Sequence, residues 1–360
     1  MSKYWSELAK KIEPYVPGEQ PKDRKYIKLN TNENPYPPSP RVIDAINRLA
    51  NESLRLYPDP NCDDLRDTIA LYHRLHRSQV FVGNGSDEVL AFAFMAFFDP
   101  DKTILFPDIT YSFYPVYAEL FNLKHRTVPL SDDFDIIAGD YAGENGGIII
   151  ANPNAPTAKQ IDKEAIIKII ESNLNSVVII DEAYVDFGGE SVIQLINDYP
   201  NLLVVQTLSK SRSLAGMRLG FALGHQDLIQ ALDRIKNSFN SYTLDRLAIG
   251  AAVEAFKDEE YFRETCLKVV NTRERISGVL KEMGFKLTDS KANFIFASHP
   301  KIKARDLFSG LREKGILVRY FNKPRIDNYL RITIGTDEEM DCMVEALKLL
   351  LESNLGDSAK

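Results

Sequence analysis

Short apolar runs alternate with helix-forming segments between residues 80 and 223, and this alternation restricts the fold of the chain more than any other feature. The runs are rich in Val, Ile and Phe and are bounded by Gly, Asn, Asp and Pro. Such a pattern is typical of an α/β protein whose mainly parallel sheet is covered by helices on both faces. The predicted strands are 80–82, 103–106, 147–151, 177–180, 202–206 and 220–223. The predicted helices before and between them are 41–50, 62–76, 87–98, 114–121 and 163–173.

A second, smaller α+β unit is predicted towards the C-terminus. Its elements are a helical stretch over 246–283, strands at 294–297, 317–319 and 329–333, and helices at 304–314 and 337–352. Residues 1–40 are rich in proline and turn formers, which indicates an extended arm. We therefore expect three parts: an arm over 1–40 that joins the small domain, a large domain over 41–255, and a small domain over 256–360.

The composition is that of a globular protein without a general attraction to polyanions. Hydrophobic residues make up 44% and charged residues 26% of the 360 residues, and the formal net charge is −7. An anionic substrate therefore has to be held by local arginines. We expect neither a nucleic-acid partner nor a membrane partner.

Cysteine usage and the N-terminal residues indicate a cytoplasmic protein. The three cysteines form neither a CxxC pair nor a disulfide framework. The first ten residues lack the apolar core of a signal peptide, and the apolar run at 90–98 is too short to span a bilayer. The five histidines show no metal-binding pattern, so no metal site is expected.

Residues suited to cofactor chemistry follow several of the predicted strands. Lys210 comes shortly after 202–206, Asp181 follows 177–180, and the tripeptide 85–87 (Gly-Ser-Asp) opens a predicted helix. Because ligands of an open parallel sheet bind beyond the carboxyl ends of its strands, these residues should lie together. An amine can form a Schiff base with an aldehyde, an acid can pair with a protonated ring nitrogen, and a glycine turn at a helix N-terminus can bind phosphate.

Each of these residues also has an ordinary structural explanation. Lys210 alone would be a solvated surface charge, Asp181 a helix N-cap, and Tyr184 a half-buried aromatic residue. Arg218 can donate two hydrogen bonds to a phosphate, and Tyr111 can stack on an aromatic ring. Taken together, the residues predict one ligand, a phosphorylated pyridine aldehyde.

Seven motifs extend this prediction over nearly the full length of the chain. They lie at 29–35, 57–59, 83–88, 152–157, 181–184, 209–210 with Arg218, and 330–332. In these motifs the chain resembles the fold-type I pyridoxal-phosphate aminotransferases, and within them the histidinol-phosphate aminotransferases. The resemblance implies a large domain with a mainly parallel seven-stranded sheet, a smaller α+β domain and a homodimer.

The same resemblance implies pyridoxal 5′-phosphate as the cofactor and assigns roles to single residues. Lys210 would bind the cofactor's aldehyde and then carry a proton during the reaction. Asp181 would pair with the ring nitrogen, Tyr184 with the ring oxygen, and Tyr111 would stack on the ring. Tyr57 would reach the cofactor of the neighbouring subunit, so that a homodimer shares its active sites. The residues implied around the phosphate are Gly85, Ser86, Asp87, Thr207, Ser209 and Arg218.

One motif departs from the family pattern. The family commonly has Asn-Asn-Pro-Thr-Gly after the strand predicted at 147–151, and the second asparagine contacts the ring oxygen. Here Ala155 occupies that position, and Ala158 replaces the closing glycine. Either Asn154 supplies the contact through a shifted loop, or Tyr184 makes it with less help.

The resemblance also implies the reaction. Glutamate would donate its amino group, and imidazole acetol phosphate would receive it to give L-histidinol phosphate, in histidine biosynthesis. Arg331 would clamp a substrate carboxylate, with an ion pair inside the protein as its structural alternative. Arg319 would help bind the substrate phosphate, Tyr15 would close over the substrate, and Asn32 is a further substrate-binding residue.

Three other functions stay open at this point. The chain could be an aminotransferase of the same fold for aromatic or other amino acids, or a phosphothreonine decarboxylase. It could also be a binding protein that has kept the fold without catalysis. The presence of Lys210 and Asp181 argues against this last alternative.

Overall fold

A computed structural model describes residues 2–356 of the chain. Met1 of the predicted arm and residues 357–360 of the predicted small domain lie outside the described residues. The strands are β1 (Ile27–Lys28), β2 (Val80–Asn84), β3 (Ile104–Pro107), β4 (His125–Val128), β5 (Gly147–Ala151), β6 (Val178–Asp181), β7 (Leu202–Thr207), β8 (Leu219–Gly224), β9 (Lys286–Leu287), β10 (Phe294–Ser298), β11 (Ile316–Leu317), β12 (Arg319–Tyr320) and β13 (Leu330–Thr333). The helices are α1 (Glu7–Lys11), α2 (Pro40–Leu49), α3 (Asp63–His73), α4 (Gly85–Phe97), α5 (Phe113–Leu120), α6 (Lys163–Glu171), α7 (Gln226–Phe239), α8 (Arg246–Lys257), α9 (Glu259–Glu282), α10 (Ala304–Glu313) and α11 (Asp337–Gly356).

Seven strands form one large sheet in the order β2-β8-β7-β6-β5-β3-β4. The five strands from β7 to β4 are parallel to one another, whereas β8 is antiparallel to both β2 and β7. The predicted α/β fold with a mainly parallel seven-stranded sheet is thereby confirmed. The pattern missed β4, because its polar His-Arg-Thr-Val sequence lies at the sheet edge and is mostly exposed.

The central strands β5, β6 and β7 are buried along their whole length. Successive side chains of a strand point to opposite faces, so Ile148 and Ile150 belong to one apolar cluster and Ile149 to another. A continuous apolar run is what a strand between two helix layers requires. Polar side chains therefore appear where these strands end, as at Asp181 and Thr207.

Three helical regions differ from the prediction. The arm, which was expected to be extended, contains the short helix α1. Helix α7 was not predicted, although it carries an apolar face with Ile229 and Leu232 in the core. The predicted helical stretch 246–283 consists of two helices, α8 and α9, that meet at Asp258. No helix within residues 2–356 has the length and apolar character needed to cross a membrane.

The C-terminal part contains a second, antiparallel sheet in the order β12-β13-β10-β9. The predicted strand 317–319 is two short strands, of which β12 joins this sheet and β11 pairs with β1 of the N-terminal arm. Leu29 of the arm packs in the same apolar cluster as Ile316 and Ile332. The arm is therefore anchored on the C-terminal part.

Candidate active site

A cavity of about 450 Å³ lies where β3, β5, β6 and β7 end, between the large sheet, the N-terminal arm and the C-terminal part. Its walls contain most of the residues singled out from the sequence. Those residues are Tyr15, Asn32, Ser86, Asp87, Tyr111, Asp181, Tyr184, Thr207, Ser209, Lys210, Arg218, Arg319 and Arg331. Parallel strands thus gather side chains that are far apart in the chain, as the sequence predicted.

One end of the cavity is built to hold an anion. Helix α4 begins there at Gly85, whose φ of +80° favours glycine. Strand β8 approaches so closely that a Cβ on Gly220 would lie 2.3 Å from the Ser86 nitrogen. Arg218 pairs with Asp87 at 3.1 Å, and the buried Ser209 hydroxyl has no hydrogen-bond partner among residues 2–356. Amides, a hydroxyl and a guanidinium at a helix N-terminus match a phosphate group.

Asp181 is a buried carboxylate at the end of β6. Its oxygens accept hydrogen bonds from the Tyr114 hydroxyl at 2.8 Å and from the Ala183 amide at 3.2 Å. Burial raises the pKa of Asp181 to about 6, because the charged form loses its hydration. A cationic ring nitrogen facing this carboxylate would restore the lost stabilisation.

Lys210 faces the same cavity from the loop after β7. Its Nζ lies 3.5 Å from the Thr31 carbonyl oxygen and 5.8 Å from the centre of the Tyr184 ring. The Asn34 amide donates to the Lys210 carbonyl at 3.0 Å and so holds the backbone. Burial, with Arg331 nearby, lowers the pKa of the Lys210 amine to about 8. The amine is thus partly neutral, and able to act as a nucleophile or base, close to physiological pH.

Tyr184 is held in place by a residue of the arm. The Asn32 amide donates to the Tyr184 hydroxyl at 3.0 Å, while the Thr333 hydroxyl donates to the Asn32 side-chain oxygen at 3.0 Å. Asn32 has a φ of +56°, a conformation that asparagine tolerates better than most residues. Burial raises the pKa of Tyr184, so its hydroxyl keeps its proton.

The structure does not bring Asn154 to the cavity. Its side-chain oxygen accepts from Thr110 at 2.8 Å, and its amide donates to the Ile109 carbonyl at 2.9 Å and to the Thr157 hydroxyl at 3.0 Å. These bonds use both N–H donors of the carboxamide and one lone pair of its oxygen. Ala155, the next residue, lines the cavity instead. Of the two residues named for this loop's alternatives, Tyr184 lines the cavity and Asn154 does not.

Tyr57 also lies away from the cavity of its own chain. Its side chain is 78% exposed, and its ring stacks on that of Tyr242 at 4.5 Å between centres. Arg246 donates to the Tyr57 carbonyl at 3.2 Å. The Tyr57 side chain is therefore a surface group and does not line this cavity.

Two arginines stand at the other end of the cavity. Arg331 donates to the Asn30 carbonyl at 2.9 Å, its Nε is buried without a partner, and no carboxylate within residues 2–356 forms an ion pair with it. The structural ion pair considered as the alternative for Arg331 is therefore absent from this range. Arg319 donates to the Val16 and Pro17 carbonyls at 3.2 and 3.3 Å. Neither guanidinium forms an ion pair with a carboxylate of the described residues, so the two groups leave positive charge at this end of the cavity.

Several residues of the site escaped the sequence analysis. Tyr114 looks like a core aromatic, Asn34 lies in a motif without an assigned role, and Asp108 looks like a loop acid. Arg325 sits in a polar loop among other charged residues. Their roles depend on contacts between segments far apart in the chain, for which the sequence carries no local signal.

Comparison with known proteins gives consistent results. The model of the aminotransferase class I and II family matches residues 24–347. The histidinol-phosphate aminotransferase of Clostridium acetobutylicum is 62% identical over 348 residues, which cover 97% of this chain and 99% of that protein. That of Clostridium botulinum is 59% identical over 351 residues, covering 98% and 99%. The solved structure of histidinol-phosphate aminotransferase from Sinorhizobium meliloti in complex with pyridoxal-5′-phosphate has a TM-score of 0.90 at 25% identity, covering 98% of this chain and 99% of that one.

Proposed function

The chain belongs to the aminotransferase class I and II family, and we propose that it transfers the amino group between glutamate and imidazole acetol phosphate in histidine biosynthesis. The products are 2-oxoglutarate and L-histidinol phosphate, and the reaction is reversible. The observation that carries the proposal is the half-buried Arg331 guanidinium, which has no carboxylate partner within residues 2–356 and faces the same cavity as the Lys210 amine. A cation and a reactive amine in one cavity suit an anionic amino substrate.

The residues at the strand ends fit pyridoxal 5′-phosphate as the cofactor. The first amides of α4, the Ser209 hydroxyl and Arg218 would hold its phosphate, and Asp181 would pair with its ring nitrogen. Lys210 would bind it covalently. When bound, this cofactor supplies the electron sink for bond breaking at the substrate's α-carbon.

The chain itself supplies proton transfer and orientation. The Lys210 Nζ takes the proton from the α-carbon, which its pKa of about 8 permits close to neutral pH. The Tyr184 hydroxyl, which Asn32 holds, would donate to the ring oxygen. Asp181, when ionised, would keep the ring nitrogen protonated.

The two substrates share an anionic group at one end. Arg331 would bind a carboxylate of glutamate, and Arg319 would help bind the phosphate of histidinol phosphate, since a guanidinium can donate two hydrogen bonds to either group. Tyr15 stacks on Phe113 at 4.8 Å between ring centres and lines the cavity, so it would close over the bound substrate.

The assembly, location and division of the chain form part of the same proposal. We propose a cytoplasmic homodimer in which Tyr57 reaches the partner's cofactor phosphate; its exposure and its stacking on Tyr242 support this role. The seven-stranded and four-stranded sheets, each with its own apolar cluster, support a large domain (41–255) and a small domain (256–360). The pairing of β1 with β11 supports an arm (1–40) that joins the small domain. Helix α8 continues to Lys257, so a boundary at Asp258 would keep that helix whole.

The absorbance of the bound cofactor tests this function. The purified holoenzyme is mixed separately with L-histidinol phosphate, phenylalanine, tyrosine and aspartate. We expect L-histidinol phosphate to change the spectrum at the lowest concentration. A change with phenylalanine and none with histidinol phosphate would make the substrate assignment wrong, and carbon dioxide released from phosphothreonine would indicate a decarboxylase. Lys210→Ala should abolish both the spectral change and covalent cofactor attachment.

A further inference from the structure

A closed ring of three hydrogen bonds joins the segment after β12 to the loop after β3. Arg325 donates from Nη1 to Asp108 Oδ2 at 2.9 Å and from Nη2 to the Leu130 carbonyl at 3.0 Å. The Leu130 amide in turn donates to Asp108 Oδ1 at 2.9 Å. The guanidinium also donates to the Ser131 carbonyl and lies 5.7 Å from the Phe134 ring centre. A planar guanidinium that bridges a carboxylate and two carbonyls holds all of them in one geometry.

This ring adjoins a small apolar cluster that is separate from the main cores. The cluster combines residues from loops of the large sheet with residues of the C-terminal part, so it is buried only while the two parts stay together. Its buried members are Ile109, Leu130, Phe134, Phe296 and Ile326. The backbone of Arg325 has a φ of +69°, which costs free energy in a residue other than glycine. The surrounding contacts must therefore impose this conformation.

The two segments that this ring of hydrogen bonds joins both border the cavity. Phe321, in the same segment as Arg325, lies with its ring centre 5.8 Å from the Arg319 guanidinium and 5.7 Å from that of Arg331. Asp108 lines the cavity at the start of the loop that carries Tyr111. A shift of the segment 321–326 would therefore displace the packing surface of both substrate arginines.

We propose that Arg325 is a positioning residue for substrate binding. By locking the segment 321–326 to Asp108, it holds Phe321 against Arg319 and Arg331, so that both guanidinium groups are placed to receive the substrate's anionic groups. The identity of those substrates rests on the function proposed above. Arg325 does not contact the Lys210 end of the cavity, so its loss should weaken substrate binding and leave cofactor attachment intact.

The first test compares steady-state kinetics of Arg325→Ala, Arg325→Lys and Arg275→Ala in the holoenzyme. Arg275 is a matched control, since it is partly exposed and binds the carboxylates of Asp337 and Asp341 on α11. We expect Arg325→Ala to raise the KM of glutamate and of the phosphorylated substrate about tenfold, with kcat changed less than about twofold. Arg325→Lys should recover only part of the loss, because an ammonium lacks the planar fork. Arg275→Ala should change neither constant.

The second test uses hydrogen exchange, measured by mass spectrometry on the holoenzyme without substrate. Arg325→Ala and Asp108→Ala should each speed amide exchange in residues 319–330, and the double variant should not exceed the larger single effect. Unchanged exchange in Arg325→Ala, or a fall in kcat with an unchanged KM, would overturn the proposal. If Arg325→Ala exchanges faster but the wild-type holoenzyme accepts none of the amino donors, the positioning role of Arg325 would be supported and the proposed function would be refuted.

Discussion

The Tyr114 hydroxyl donates a hydrogen bond of 2.8 Å to the carboxylate of Asp181, joining α5 to the end of β6. Both residues are buried, so the tyrosine provides one of the few polar contacts available to this acid. The bond stabilises the charged form and partly offsets the cost of burial. Asp181 can therefore ionise near neutral pH while it remains enclosed in the core.

The pH dependence of stability should reveal the burial of Asp181. Its folded pKa of about 6 lies above the ordinary carboxyl range, so the folded state binds the proton more tightly. The corresponding stabilisation is complete at acidic pH and is lost as the pH rises through 6. We expect Asp181→Asn to raise the free energy of unfolding of the cofactor-free protein by about 2 kcal/mol more at pH 8 than at pH 4. Urea unfolding measures this, with the exposed Asp101→Asn as control, and equal effects at both pH values would contradict it.

The close contact between β8 and the start of α4 should not tolerate a methyl group. A Cβ at Gly220 would lie 2.3 Å from the Ser86 nitrogen, so Gly220→Ala must displace the phosphate-binding turn. We expect a loss of about 2 kcal/mol in the free energy of unfolding and weaker cofactor binding. Gly278→Ala is the control: nothing lies within 4 Å of its Cβ, and alanine in α9 should stabilise by about 0.5 kcal/mol. Thermal melts and cofactor titrations of both variants separate the effects, and wild-type cofactor affinity in Gly220→Ala would count against the contact.

Arg331 should contribute to binding rather than to stability. Within residues 2–356 no carboxylate pairs with it, so Arg331→Gln leaves no buried acid without its partner. We expect the glutamate half-reaction to lose about 100-fold in rate constant, since a hydrogen-bonded charge contact is removed, while Tm stays equal or rises. Arg273→Gln provides the contrast, because that buried guanidinium donates to the Phe187 and Ala292 carbonyls and its loss should lower Tm. A lower Tm in Arg331→Gln with normal kinetics would show a structural role.

Shared active sites can be tested by mixing two inactive variants. Lys210→Ala lacks the reactive amine, and Tyr57→Ala lacks the phenol proposed to reach the partner's cofactor. Half of the randomly reassociated dimers contain one intact site, so we expect the mixture to recover roughly one quarter of wild-type activity at limiting cofactor. Analytical ultracentrifugation of each variant checks the dimer. Dimers that regain no activity on mixing would place both residues in the same subunit's site.

The local pattern of the sequence was sufficient to predict most of the large sheet and many of the residues that line the cavity. Apolar runs between turn residues predicted six of its strands, since a buried strand needs such a run whatever its neighbours are. Lys210 and Asp181 were predicted to meet because both follow strands of one parallel sheet, which gathers residues at its carboxyl edge. The reactions predicted for the Lys210 amine and the Asp181 carboxylate followed from their residue types alone.

The tertiary structure decided which partner each of these groups has. That β8 runs antiparallel, that Tyr114 reaches Asp181, and that the Asn154 amide donates to the Ile109 carbonyl all depend on contacts between distant segments. The same holds for Arg325. In the sequence it is one of several charged residues in a loop, and only the fold shows that it binds Asp108. Residue type and spacing are local properties and can be read along the chain, whereas hydrogen-bond partners and burial are set by how separate elements pack.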